Sequence, residues 1–189
     1  MMATSLEGGF ADAPIDAARA FRAAMTAMAR PGRIETLTGA APPAPLSPAA
    51  GALILTLCDP ETPIRLAGAC DTPDIRDWIA FHTGAPLSDA AGAAFAVGEW
   101  ADLFPLGDYA IGTPEYPDRS ASLIVEMNAL AASGARLTGP GIETAAALSL
   151  PEIAAFQANA SLFPLGLDFW FCAGDQAAAL PRTTKVEVI

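Results

Sequence analysis

Gly112-Thr113-Pro114-Glu115-Tyr116-Pro117-Asp118-Arg119-Ser120-Ala121-Ser122-Leu123-Ile124-Val125-Glu126-Met127 is the stretch on which the fold turns. Pro114 and Pro117 fix φ and bias the residue before each toward extended backbone, so the first half is a rigid connector. Ala121–Met127 then sets Leu123, Ile124 and Val125 in succession, which suits a strand buried on both faces. A second glycine-marked turn, Leu137-Thr138-Gly139-Pro140-Gly141-Ile142, follows ten residues later. Connector, buried strand and glycine turn together belong to the middle of an α/β sheet.

Upstream, Asp12-Ala13-Pro14-Ile15 marks a helix start, with Ile15, Ala18, Phe21, Met25 and Met28 at helical spacing as its apolar stripe and Pro31-Gly32 as its end. Ile34–Leu37 is a short strand, and Ala49–Leu57, apolar all round, is a buried helix. Thr62–Leu66 is a strand, and Thr72-Pro73-Asp74 starts a helix whose inner side carries Ile75, Trp78, Ile79 and Phe81 or His82. Ala93–Val97 is a small-residue strand. Downstream, Pro151–Leu162 is a helix, Leu165–Ala173 a strand buried on both faces, and Gly174-Asp175 a hairpin turn into Gln176–Leu180. Pro181 breaks that ladder, and Thr183–Ile189 alternates as a last strand. The sum is one α/β domain over residues 1–189, a three-layer structure with a mixed sheet and helices on both faces.

The net charge is −11, which argues against nucleic acid, since phosphate backbones need clustered Lys and Arg. Charged residues make up only 16% of the chain, against about 25% in ordinary domains, so part of the surface is expected to lie under another subunit. Cys58, Cys70 and Cys172 are widely spaced and form no CxxC pair, which points to buried free thiols rather than a disulfide or zinc site. Met1–Phe10 holds no Lys or Arg and no long apolar core, and no run reaches the roughly 18–20 apolar residues of a membrane span. A cytoplasmic protein that binds neither membrane nor nucleic acid is expected.

The chemistry-bearing residues are few. His82 is the only histidine and Lys185 the only lysine, and no nucleophile motif accompanies either. Neither a catalytic residue nor a metal ligand set is assigned. Candidate contacts for a ligand or partner are the basic stripe Arg22, Arg30 and Arg33, then His82, then Asp118 with Arg119 at a loop mouth. Thr138, Gly139 and Gly141 could offer backbone N–H groups to a phosphate, and Arg182 is a further anion-binding candidate.

A set of short motifs spread along nearly the whole chain carries a resemblance. They are Gly9-Phe10, Phe21-Arg22, Met28-Ala29-Arg30-Pro31-Gly32, Leu55-Thr56-Leu57-Cys58-Asp59 with Thr62-Pro63, and Phe81-His82-Thr83-Gly84-Ala85-Pro86. Gly112-Thr113, Tyr116-Pro117-Asp118, Leu137–Ile142, Phe163-Pro164-Leu165-Gly166-Leu167-Asp168 and Leu180–Val188 continue the series. In this order and spacing they resemble the H subunit family of the bacterial carbon–phosphorus lyase system. Trp170 and Phe171 stand where smaller aliphatics are expected.

The resemblance implies a fold similar to the large domain of pyridoxal-phosphate-dependent transferases without the cofactor's lysine, hence no cofactor. It implies a homodimer that joins the G, I and J subunits in a core complex. It also implies an accessory role in coupling a phosphonate to the ribose of ATP with displacement of adenine. Two other readings remain open at this stage. One is an independent enzyme using His82, Asp118 or Arg119; the other is a module that binds a phosphorylated ligand in a relic pocket.

Overall fold

The computed structural model describes residues 6–188. Its main sheet has six strands: β1 (Glu35–Thr36), β2 (Ile64–Leu66), β3 (Phe95–Glu99), β4 (Ser122–Glu126), β7 (Asp168–Ala173) and β8 (Gln176–Leu180). They lie in the order β1-β8-β7-β4-β3-β2. Strands β2, β3, β4 and β7 are parallel, while β8 returns antiparallel to β7 and β1 pairs antiparallel with β8. β4 is central, flanked by β3 and β7. Leu123, Ile124 and Val125 are all fully buried, as a strand covered on both faces requires.

One face of this sheet is covered by α1 (Ala13–Ala29), α2 (Pro48–Leu57) and α3 (Pro73–His82). Ser47 caps α2 by accepting the Ala50 N–H at 3.2 Å, and Thr72 caps α3 by accepting that of Ile75 at 3.3 Å. The other face carries a three-stranded antiparallel sheet, β5 (Ala135–Thr138), β6 (Ala146–Leu148) and β9 (Lys185–Val188), ordered β6-β5-β9, together with the short α4 (Ala154–Ala160). The second outer layer is therefore a small sheet with one helix, where helices alone were expected. The helix expected over Pro151–Leu162 is confined to Ala154–Ala160, and its N-cap, Ile153, has no side-chain acceptor to offer. The last strand joins the small sheet, with Leu137 opposite Val186, and the Ile189 end of that expectation lies outside the described residues.

Of the expected stripe of α1, Met28 packs against the core, but the rest is not the buried face. Ala20, Ala24 and Ala27 are buried, while Ile15, Phe21 and Met25 are about half exposed. The reason is proximity: α1 packs on α2 and β8, whose facing positions are themselves alanines (Ala49, Ala52, Ala177, Ala179), and small side chains let the backbones approach. On α3 the inner side is Ile75, Trp78 and Ile79; Phe81 points out, 61% exposed, and His82 is half-buried.

Candidate functional site

The residues singled out from the sequence fall into three separate places. Arg30 is the C-cap of α1, and the Thr138–Gly141 turn is seated on that same helix end. Gly141 has φ +81°, and a Cβ there would lie 1.9 Å from the Ala29 carbonyl oxygen. The turn thus faces the carbonyl-rich, negative end of a helix, a packing role that opposes a phosphate cradle. Arg33 pairs with Glu35, whereas Arg22 and Arg30 enter no ion pair among the described residues.

Asp118 and Arg182 gather at the amino ends of β4 and β7, along a shallow groove also lined by Phe163 and Pro164, with Arg119 next to Asp118 in the connector. The Arg182 guanidinium is committed there. It donates from Nε to Asp168 Oδ1 at 3.1 Å, from NH1 to the Pro117 carbonyl at 2.7 Å, and from NH2 to Asp168 Oδ2 and the Ser120 hydroxyl. The Arg119 guanidinium lies over the Tyr116 ring, 4.1 Å from its centroid. His82 sits apart, between Trp78 and Phe81 with ring centroids 5.1 and 4.9 Å away, its ring against Gly9 and its Nε2 buried without a partner. No hydrogen bond, ion pair or ring contact among the described residues joins His82 to Asp118, Arg119 or Arg182.

A roomier concavity than this groove lies elsewhere. A cleft of about 910 Å³ opens at the carboxyl ends of β3 and β4, where open α/β sheets commonly take ligands. Ser47, Cys70, Glu99, Trp100, Glu126 and Asn128 contribute to its wall. Glu99 and Glu126 end their strands in register, so their side chains leave the sheet on the same side. Glu126 Oε1 accepts the backbone N–H of Ser47 at 2.8 Å, which ties it to the N-terminus of α2. Next to the lining residues Ala69 and Ala101, Gly68 lies close against Asp102: a Cβ there would meet its carboxylate at 1.8 Å.

This cleft is acidic. Burial, opposed by the Ser47 bonds and helped by Glu99, holds Glu126 above the usual carboxylate range. Burial and the carboxylates of Glu126, Glu99 and Asp102 push the Cys70 thiol up to about 12, so it stays protonated. A carboxyl whose pKa is raised on folding stabilises the fold below its unfolded pKa, and that contribution is lost as pH rises through the folded value. Glu126→Gln keeps an acceptor for Ser47 without the charge. It should therefore be more stable than the wild type at neutral pH, with the two converging below pH 4 in urea melts; a constant offset at all pH values would refute the account.

The cleft does not fit pyridoxal phosphate. That cofactor needs a lysine for its aldehyde and cationic or N–H donors for its phosphate. Lys185 is exposed on β9, at the edge of the small sheet, and the cleft wall offers carboxylates instead. The sequence reading passed over Glu99 and Glu126. The signal was present, since each is a carboxylate that closes an apolar run, Phe95-Ala96-Val97-Gly98-Glu99 and Ser122-Leu123-Ile124-Val125-Glu126. Only the pairing of the two strands makes them neighbours.

Comparison with known proteins completes the picture. Residues 8–187 match the family described as bacterial phosphonate metabolism protein (PhnH). Among relatives, the chain is 43% identical to the protein of Rhizobium meliloti (strain 1021) named alpha-D-ribose 1-methylphosphonate 5-triphosphate synthase subunit PhnH, over 95% of this chain and 94% of the relative. It is 29% identical to HtxG of Stutzerimonas stutzeri, whose name places it among C-P lyase subunits, over 96% of each.

Proposed function

The chain belongs to the family of bacterial phosphonate metabolism proteins (PhnH), and from that premise we propose that it is an accessory subunit of the assembly that makes α-D-ribose 1-methylphosphonate 5-triphosphate. In that role it supports transfer of the ribose triphosphate moiety of ATP to a phosphonate during phosphonate breakdown. The observation that carries the reading is the end-to-end similarity, at 43% identity, to a subunit so named. The separation of His82 from Asp118 and Arg182, and the commitment of the Arg182 guanidinium to Asp168 and Pro117, support an accessory role, because acid–base catalysis needs its groups within hydrogen-bond reach of one reacting centre. Homodimerisation, the G, I and J subunits as partners and a cytoplasmic setting belong to the same proposal.

The contact face is the outward side of α1. Phe21 and Met25, one turn apart, are 48% and 55% exposed, and Arg22 and Arg30 flank them. Apolar groups rimmed by charge suit a protein interface better than free solvent. Arg33 lies just beyond, partly engaged with Glu35.

The test uses the natural host. Deleting the gene should abolish growth on methylphosphonate, and restoring the chain should recover it. The isolated chain should release no adenine from ATP and methylphosphonate; release by the chain alone would overturn the reading. Arg30→Glu should weaken co-purification with the partner subunits about tenfold while the chain stays folded. A lowered Tm with unchanged association would remove α1 from the interface.

A further inference from the structure

Helix α1 is built on two seams. Ala20, Ala24 and Ala27 form the buried one, against α2 and β8. Half a turn round the axis lie Ile15, Ala18, Arg22, Met25 and Ala29, and all five are exposed. Their spacing alternates between three and four residues, the spacing at which one helix packs along another. From Ile15 to Ala29 the seam runs about four turns, or about 21 Å. A helix face turned to solvent is ordinarily polar. This one sets a single charge among four apolar side chains.

The side chains decide what can cover the seam. The large Ile15 and Met25 alternate with the small Ala18 and Ala29, which leaves holes for the knobs of a facing helix. Arg22 stands at the middle and enters no ion pair among the described residues, whereas Arg19 on the flank is paired with Asp16. A charge that becomes covered needs an opposite one beside it. A second copy of α1 cannot bring it. Running antiparallel across a two-fold axis, that copy would set Ile15 against Ala29 and Ala18 against Met25, but Arg22 against Arg22. A parallel copy in register meets the same clash of like charges.

We infer that the outward seam of α1 takes a helix from a different subunit of the assembly, apolar along its own three-four seam and carrying an Asp or Glu opposite Arg22. The α1 contact face proposed above is the premise; the partner's helical shape and acidic sign are added to it. Ile15 and Met25 supply the apolar contact. Arg22 fixes the register, as a lone polar group in an apolar seam does between paired helices.

The assembly co-purified from the natural host provides the test. Arg22→Glu should lower association with the other subunits at least tenfold, and Arg22→Lys, which keeps the charge, less than about threefold. Ala18→Trp fills a hole of the seam at an exposed position and should lower association about tenfold. Each variant should keep the wild-type circular dichroism spectrum. In the assembly, photocrosslinking through benzoylphenylalanine in place of Met25 should reach a segment of another subunit with apolar residues at three-four spacing around an Asp or Glu. Changing that carboxylate to Lys should bring Arg22→Glu back to within about threefold of the wild-type association. No loss with Arg22→Glu, no effect of Ala18→Trp, a crosslink to a second copy of this chain or to no subunit, or no recovery by the swapped pair overturns the inference. Arg30→Glu separates this from the broader reading. If it weakens association while Arg22→Glu and Ala18→Trp do not, α1 is the contact face without a helix on its seam; if none of the three does, α1 lies outside the interface.

Discussion

Arg182→Ala lowers the unfolding free energy by about 3–5 kcal/mol, the usual cost of stripping one partner from a buried ion pair. Arg182 and Asp168 retain only 12% and 20% side-chain exposure, so water can replace little of what is lost. The guanidinium ties together three segments distant in sequence. Asp168 opens β7, Pro117 and Ser120 belong to the connector before β4, and Arg182 itself lies between β8 and β9. Removing it leaves the Asp168 carboxylate with only the Arg182 backbone N–H, at 2.8 Å, among its present donors. Arg182→Lys keeps the charge but loses the fork, and it should recover less than half of the loss. Equilibrium urea unfolding of the three proteins provides the check. A change below about 1 kcal/mol for alanine would show that the connector holds its place without this side chain.

Gly141→Ala is the second large effect, a loss of about 2–5 kcal/mol from left-handed backbone strain and overpacking together. The φ of +81° is already unfavourable for an L side chain, and the new methyl would sit 1.9 Å from the Ala29 carbonyl oxygen. Because that atom is backbone, relief requires the turn to lift from the end of α1 or the helix to fray. The consequence reaches the proposed contact face, since Arg30 caps the helix end against which the turn is packed. Gly139→Ala is the comparison. Its φ is +134° and the added Cβ would stand 3.1 Å from the Thr183 carbonyl oxygen, so its loss should be the smaller. Thermal melts of both variants, with co-purification measured beside them, test the ordering. Equal Tm values for wild type and Gly141→Ala would contradict it.

Strand β4, the β7–β8 hairpin and the start of α3 were legible residue by residue. Leu123-Ile124-Val125 can be satisfied only by cover on both faces, Gly174-Asp175 turns the chain, and Thr72 precedes the proline that starts a helix. The resemblance read from the chain-long motifs agrees with the family match over residues 8–187. The face of α1 was misjudged because hydropathy ranks Phe and Met above Ala. Burial instead followed shape: Ala20 and Ala24 meet other alanines at close range, leaving Phe21 and Met25 outside. Arg182 was read as an anion-binding candidate, and its acceptors in the structure come from Pro117, Ser120 and Asp168.

From the residue order alone came many of the local decisions: the helices and the strands of the main sheet, though not β5 and β6, and which family the chain resembles. These depend on side chains only a few positions apart. The tertiary structure alone decided which helix face is buried, that β9 joins a second sheet, and that Glu99 and Glu126 stand side by side in one cleft. Those outcomes depend on contacts between residues far apart in the chain, set by which surfaces can approach closely enough to exclude water, and no periodicity along the sequence records that distance.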